Sequence, residues 1–541
     1  MPPKPDSRRI WDRPSLFHRH SSALHHQLFS SARKIDRSRP MGSESDNDSQ
    51  VSPDNDGHQT SEHVETPLPI GQLSVLAFIA LAEQTALNSI SPYLPDMASN
   101  FPEVGADQVG LCVGLLASSF ALAQFVSNFA WGWLSDQIGR KPVVMIGTLL
   151  TAVCFGAFGF CRTLWQAILV QVFMGLVNGN QGVISTCVGE ITDRSNQSRA
   201  FTYLPVIYGL GGITGPVVGG LLVMPHLEYP YLPPNLISAA LLIVDLIVIA
   251  TFLRESLEHL TDRESLGQRV SNLLSWLWQL ASSPRPFNMR WRKSSLLTER
   301  SRLLAEPTGS DSDPEPAPVS MREVMTKDTI LVLATFLIFQ LSNVSYNSLY
   351  PIFAQAPPPS GRDLHSKEIG LSLAFAGAAT ILFQVGLFGR MRGKVGNKVT
   401  YRVSLAILAL AFALTPMVGY KSTSELWLWA ELGAVLILKT VATVGGLASA
   451  MLLVTNSAPS HAVLGALNGL AQTLSAAGRA VGPIVSGALF SAASRFESVT
   501  GGMLAFGVFG TVTAVGFLLS LPIRGEGLED DWHGEEESGD V

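Results

Sequence analysis

Twelve long apolar runs constrain this chain more than anything else in it. They fall at about 70–92, 108–131, 143–161, 165–188, 201–223 and 235–253, and again at about 329–350, 369–389, 401–419, 427–454, 463–491 and 502–521. A run of roughly 18 or more apolar residues is long enough to cross a bilayer as a helix. In lipid every backbone N–H and C=O needs an internal partner, so only helices or closed barrels span, and barrel strands are about 10 residues long. The runs therefore read as transmembrane helices of an all-α integral membrane protein. Pro205, Pro216, Pro416 and Pro483 kink their spans or mark their ends, which neighbouring helices accommodate. Only 15% of the 541 residues are charged, against about 25% in soluble domains, and these charges cluster outside the runs.

That clustering sets the domain order. Residues 1–69 form a polar tail, 70–253 a first six-helix bundle, 254–328 a central loop, 329–521 a second six-helix bundle, and 522–541 an acidic tail. The first tail lacks the apolar core of a signal peptide. Its early Arg, His and Ser content weakly resembles a transit peptide, but a disordered cytosolic tail fits the composition better. Met41 opens a more acidic stretch and is an alternative start.

Twelve spans put both termini on one side, and Lys and Arg in short loops name that side as cytosolic. The short inner loops would carry Arg140, Lys141, Arg194, Arg199, Arg390, Arg392, Lys394, Lys398 and Arg402. The outer loops would carry only Arg162, Arg362, Lys367, Lys421 and Arg495.

Two motifs occur twice. Gly132-Trp-Leu-Ser-Asp136-Gln-Ile-Gly139-Arg140-Lys141 returns as Gly389-Arg-Met-Arg-Gly393-Lys-Val-Gly396-Asn-Lys398, with its glycines at the same offsets. Gly211-Gly-Ile-Thr-Gly215-Pro216-Val-Val-Gly219-Gly220 returns as Gly478-Arg479-Ala-Val-Gly482-Pro483-Ile-Val-Ser-Gly487. Duplicated membrane halves are a common way to build a secondary transporter, because a site between them opens to either side as they rock. Gly139 permits a tight turn. Spacing by four stacks Gly211, Gly215 and Gly219 on one helix face, the small-residue pattern of close helix packing, and Pro216 breaks the backbone ladder beside it.

These motifs carry a family resemblance. The Gly132–Lys141 loop resembles the signature of the major facilitator superfamily, and the Gly211–Gly220 segment resembles the motif of its proton-driven antiporters. Together they look like the twelve-spanner drug:proton antiporter group. Asn178-Gly-Asn180, Leu467-Asn468-Gly469-Leu-Ala-Gln472 and Arg479-Ala-Val-Gly482-Pro483 are similar to the eukaryotic zinc-induced-facilitator-like branch. The resemblance implies the major facilitator fold, with twelve helices in two pseudo-symmetric six-helix bundles. It also implies that Asp136 pairs with Arg140 and caps a helix of the other half, latching the cytosolic side closed. A topology signal alone is the rival reading of that loop. Gln171 stands where the group usually has an arginine associated with proton coupling, and a glutamine carries no fixed charge.

Ionisable groups within spans are expensive and are functional candidates by default. Glu83 lies roughly 20 Å along the first span and is the candidate for binding and releasing a proton. A protonated glutamic acid simply bonded between helices is the rival. Lys439 and Arg479 attract an anionic substrate group or serve structural pairs, Glu431 being a possible partner for Lys439. Asp245 fits a packing role, since the resemblance makes span six peripheral. Polar side chains set in apolar runs either glue helices or line a cavity. They are Asn88, Gln124, Asn128, Asn178, Asn180, Gln181, Asn343, Tyr346, Asn347, Gln384, Asn468 and Gln472. Asn343, Tyr346 and Asn347 share one helix face at i, i+3 and i+4.

No phosphate loop, HExxH or CxxC is present, so ATP-driven pumping, a metal centre and other cofactors are not expected, nor is enzyme activity or nucleic-acid binding. Cys112, Cys154, Cys161 and Cys187 read as small buried hydrophobes. His18, His20, His25 and His26 read as solvated tail residues. Glu299-Arg-Ser-Arg-Leu303-Leu304 matches an acidic dileucine pattern that sorting adaptor complexes read, and favours a vacuolar membrane over the plasma membrane. The chain is thus expected to be a monomeric secondary transporter exchanging protons for a small molecule, a drug or a metal chelate. A proton-independent facilitator and a non-transporting nutrient sensor are the alternatives.

Overall fold

The computed structural model describes residues 69–192, 197–256, 325–388, 395–419, 424–457, 461–494 and 499–523. The expected linker segment Trp276–Trp278, the sorting residues Glu299, Leu303 and Leu304, and Gly389 to Lys394 of the second loop motif lie outside the described residues. So do Arg194, Lys421, Arg495 and the four tail histidines.

The first bundle contains α1 (Ile70–Ser89), α2 (Leu94–Ser99), α3 (Val109–Ile138), α4 (Arg140–Gly159), α5 (Leu164–Val177), α6 (Asn180–Ile191), α7 (Gln197–Leu221) and α8 (Leu232–Phe252). The second contains α9 (Lys327–Gln355), α10 (Ser366–Phe383), α11 (Asn397–Leu414), α12 (Glu425–Asn456), α13 (His461–Ser494) and α14 (Val499–Ser520). Among the described residues ten stretches are long and apolar enough to cross a membrane. The other two expected spans are α7, whose described apolar part Val206–Leu221 is shorter, and α13. α13 is rich in small residues, as suits a helix packed between other helices.

The duplication is visible in the packing. α1 packs on α7 and α8 as α9 packs on α13 and α14; α4 meets α8 as α11 meets α14. Two matched contacts join the bundles: α3 with α13, and α7 with α10. The turn glycines match as well. Gly139 has φ 107° and Gly396 has φ 81°, a region closed to most side chains.

The repeated glycine segments do the same work twice. On α7, a Cβ at Gly211 would lie 2.5 Å from Gln84 Cβ, and one at Gly215 would lie 2.6 Å from Thr85 O, so this edge seats against α1. Gly220 meets Gly370 of α10 in the other bundle. On α13, Gly478 and Gly482 seat against α9, while Gly487 meets Gly110 of α3 and Pro483 meets Gly114.

Hydrogen bonds between described residues join the bundles at the end opposite the Gly132–Lys141 loop. Ser491 Oγ accepts from Leu111 N at 2.8 Å, Ser118 Oγ accepts from Ile484 N at 3.0 Å, and Gln355 Nε2 donates to Asp96 at 3.4 Å. The stripe of α3 that meets α13 there continues one helical period at a time through Leu122, Phe125 and Phe129, and these are exposed, Phe129 at 85%. The helices therefore part, and the cleft between the bundles opens toward the loop-motif end.

Candidate functional site

The fourth span is not continuous. α5 stops at Val177, Asn178 takes φ −89° and ψ 81°, and α6 begins at Asn180. A break inside a membrane leaves carbonyls without helical partners, and these must be satisfied by neighbours. Trp131 Nε1 donates to Leu176 O at 2.6 Å, and Gln124 Nε2 donates to Asn178 O at 3.2 Å.

The Asn178 side chain links the break to Glu83. Gln124 Nε2 donates to Asn178 Oδ1 at 2.8 Å, and Asn178 Nδ2 donates to Glu83 Oε1 at 2.8 Å. Glu83 is 3% exposed, so it does not lie open to the cleft. Tyr208 of α7 and Asp245 of α8 are within its electrostatic reach.

Asp245, for which a packing role is expected, lies inside the first bundle. It is fully buried, and neither carboxyl oxygen has a hydrogen-bond partner among the described residues. Ser89–Ser238 at 3.0 Å and Gln72–Phe252 at 3.1 Å set the register of α1 against α8. Asp245 consequently stands level with the turn of α1 just before Glu83. The sequence shows an acid in an apolar run but not that its face turns toward Glu83.

A cavity of about 250 Å³ lies where the bundles meet. The first bundle contributes Leu87, Phe120, Gln171 and Met174, and the second Asn347 and Pro483. Gln171 has no hydrogen-bond partner among the described residues, so a neutral amide faces this space where the resemblance places an arginine. Behind Asn347, Lys439 Nζ donates to its Oδ1 at 2.6 Å and lies 5.6 Å from the Tyr346 ring centroid. Thr443 donates to Asn343 Oδ1 at 3.1 Å. Glu431 does not pair with Lys439; its Oε2 accepts from Gly419 N at 2.7 Å.

The other polar candidates divide. Tyr346 turns into the second-bundle core, bonding Thr415 at 2.8 Å with Phe412 edge-on, because a tyrosine with an apolar ring buries well once its hydroxyl is satisfied. Asn180 donates to Thr148 at 3.1 Å, and Asn88 donates to Gln84 O at 2.8 Å where α1 meets α7; both act as glue between or along helices. Asn128 is exposed on the parted stretch of α3, Gln472 is half-buried on α13, and Asn468 is buried there. Gln384 opens a π-helical turn, Gln384–Phe388, at the end of α10. Gln181 is exposed on α6.

At the loop motif, Asp136 Oδ1 and Arg140 form an ion pair at 2.7 Å. Arg140 also pairs with Glu190 at 2.8 Å and donates to Ser135. Glu255 accepts from the backbone N–H of Arg140 at 2.7 Å and of Lys141 at 3.2 Å, capping α4 with a charge that complements its N-terminal dipole. Glu190 and Glu255 were not signalled by the loop motif. Among the described residues Asp136 makes no contact with the second bundle, and its side chain is 51% exposed.

At the opposite end a larger cavity of about 880 Å³ is bordered by Asp96, Arg162, Tyr231, His365 and Lys367. Burial and the nearby Asp96 carboxylate raise the Tyr231 phenol above its usual range. Burial lowers the Arg362 guanidinium, with Glu431 opposing the shift, and this side chain ties down the carbonyls of Gly361, Pro416 and Val418.

Comparison with known proteins agrees with the geometry. The family model described as Major Facilitator Superfamily matches residues 73–483. A major facilitator superfamily multidrug transporter, mfsB of Aspergillus fumigatus, is 29% identical over 482 residues, covering 78% of this chain and 79% of that protein. Protein ZINC INDUCED FACILITATOR-LIKE 1 of Arabidopsis thaliana is 24% identical, covering 84% and 91%. A crystal structure of a D-xylose-proton symporter superposes with a TM-score of 0.60 at 13% identity, covering 85% of this chain and 98% of that one. It shows the fold alone.

Proposed function

The chain belongs to the major facilitator superfamily, in keeping with its zinc-induced-facilitator-like branch, and from that premise we propose that it is a proton-coupled antiporter. It is a multi-pass membrane transporter and not an enzyme. Its substrate is a small organic molecule, a drug or a metal chelate, held in the cavity between the bundles.

One observation carries the reading. Glu83 is a buried acid joined to the cleft by Asn178 and Gln124, each link at 2.8 Å. Asn178 sits at the break of the fourth span, where a small backbone change re-aims its side chain. Rocking of the bundles about that break exposes Glu83 to one side and then the other, so loading and unloading of its proton follows the state of the cleft. The Lys and Arg of the short loops favour a cytosolic loop-motif end and cytosolic termini. The open cleft then faces the cytosol.

A uniporting facilitator is the second reading, because the neutral Gln171 amide faces the cavity in place of a fixed charge. Reconstitution in liposomes under an imposed pH gradient separates the two. Substrate-dependent proton movement in the wild type, lost in Glu83→Gln, supports antiport. Substrate flux without proton movement removes it, and absence of any flux favours a sensor. The Leu303-Leu304 pattern favours a vacuolar membrane reached through a sorting adaptor; unchanged vacuolar staining after both are replaced by Ala removes that signal. We further propose that the working unit is a monomer, since each chain holds both halves of the site.

A further inference from the structure

Two cations stand without acids in the second bundle. Counting 1.5 Å per residue, Lys439 lies about 21 Å from the start of α12 at Glu425, and Arg479 about 22 Å from the end of α13 at Ser494. They share one depth. Lys439 has a neutral oxygen of Asn347 and a ring face as its partners. Arg479 makes no ion pair or hydrogen bond among the described residues. Their own helices offer nothing closer. α13 contains no Asp or Glu, and the acids of α12, Glu425 and Glu431, lie toward its start, Glu431 bonded to Gly419. Glu83 is enclosed in the first bundle against Asn178.

An intramembrane cation without an acid is costly, and such residues pair, or mark a substrate path. The placement here indicates the path. Asn347, the hydrogen-bond partner of Lys439, lines the central cavity. Pro483 lines it too, and Arg479 lies one turn from Pro483 on the same face of α13, toward the open side of the cleft. Leu87, Phe120 and Met174 give the cavity an apolar first-bundle wall, with the neutral Gln171 beside them.

We propose that the cavity takes a small amphipathic organic anion, its carboxylate or sulfonate held between Lys439 and Arg479 and its apolar body laid on the first-bundle wall. The arginine offers a planar fork to two oxygens, and the lysine a compact charge already aimed by Asn347. This deepens the transport reading by naming a substrate class, and it rests on that reading for the identity of the cavity.

The test reads binding without flux. Full-length protein in nanodiscs is titrated with four probes sharing one body: 4-phenylbutyrate, 4-phenylbutanesulfonate, 4-phenylbutanol and 4-phenylbutylamine. The two acids are expected to bind at least about tenfold more tightly than the alcohol, with the amine weakest. Lys439→Gln and Arg479→Gln should each weaken acid binding about tenfold and leave the alcohol within about twofold, and Lys439→Arg should recover most of the loss. Melting temperature and gel filtration verify folding, and either glutamine variant suffices if the other is lost. The proposal is overturned if the alcohol or amine binds as tightly as the acids, if neither acid binds, or if acid affinity is unchanged in the folded glutamine variants. Failure of proton coupling in liposomes would leave this binding result standing. Coupled transport of amines in place of acids would sink it and spare the antiport reading.

Discussion

Asn178 Nδ2 donates to Glu83 Oε1 across 2.8 Å from the break in the fourth span. The bond ties a buried acid to the part of the first bundle whose backbone is least constrained. Asn178→Ala leaves that carboxyl oxygen without its partner, at a cost of about 1–3 kcal/mol. The expected result is a lower melting temperature and at least about tenfold slower proton-coupled flux, with the protein still reaching the membrane. Glu83→Gln keeps shape and bonding capacity, so it should fold normally and lose proton movement entirely. Normal proton movement in Glu83→Gln, measured in liposomes, would remove Glu83 as the coupling group.

Asp136 and Glu190 both meet Arg140 but should not be equivalent. Arg140 is buried, and Glu190 bonds it by two guanidinium nitrogens while also accepting from Ser256 at 2.6 Å. Asp136 is half exposed. Glu190→Gln should therefore destabilise the first bundle by about 1–2 kcal/mol, part of what a fully buried pair is worth, seen as a lower melting temperature. Asp136→Asn should leave the melting temperature nearly unchanged and slow transport, as expected of a residue that caps a helix of the other bundle when the cleft closes. Full transport by Asp136→Asn at normal surface level would show that the loop serves topology alone.

The residues differ in how legible they were. The twelve spans were readable because lipid demands long apolar runs, and each expected run coincides with a helix or, for the fourth, with the broken pair α5 and α6. Gly139 and its copy Gly396 were readable because a positive φ selects glycine. The direction of a polar side chain was not. Periodicity put Asn343, Tyr346 and Asn347 on one face, yet Tyr346 sits at the edge of that face and turns to Thr415, while the two asparagines meet α12. Periodicity names the residues that share a face and leaves open which neighbour the face meets. The break at Asn178 was hidden because Gly179 alone is tolerated within helices. The open cleft was hidden for a deeper reason: one sequence encodes every state of a rocking pair, so its pattern fits them all.

Asp245 exposes that limit as a testable difference. An ionised carboxylate with no hydrogen-bond partner in this apolar setting would be costly by several kcal/mol. A neutral amide of the same shape carries no such penalty, so Asp245→Asn should fold with an equal or higher melting temperature. If Asp245 only packs, transport is unchanged. If it shares a proton with Glu83, one turn away, the variant should keep substrate binding and lose part of its proton movement per substrate. The ratio of protons to substrate in liposomes decides between these outcomes.

The seal at the opposite end depends on two glycines facing each other. A Cβ on Gly370 would lie 2.9 Å from Gly220 Cα and would also strike Pro216 O, so α7 and α10 touch backbone to backbone. Neither backbone can give way without moving its helix, because side chains in a packed membrane interface have few voids to enter. Gly370→Val should therefore push the two bundles apart at this end and bias the population toward the state open there. Ala would do the same more mildly. A cysteine placed at Gln355, which bonds Asp96 across this seam at 3.4 Å, reports the change. Its labelling by an impermeant maleimide, in a background with Cys112, Cys154, Cys161 and Cys187 replaced by Ser, should rise at least about tenfold with Gly370→Val, and substrate flux should fall because one state is overfilled. Equal labelling with and without the valine, in protein that is correctly folded, would mean that the glycines serve close packing and do not set the balance between the two openings.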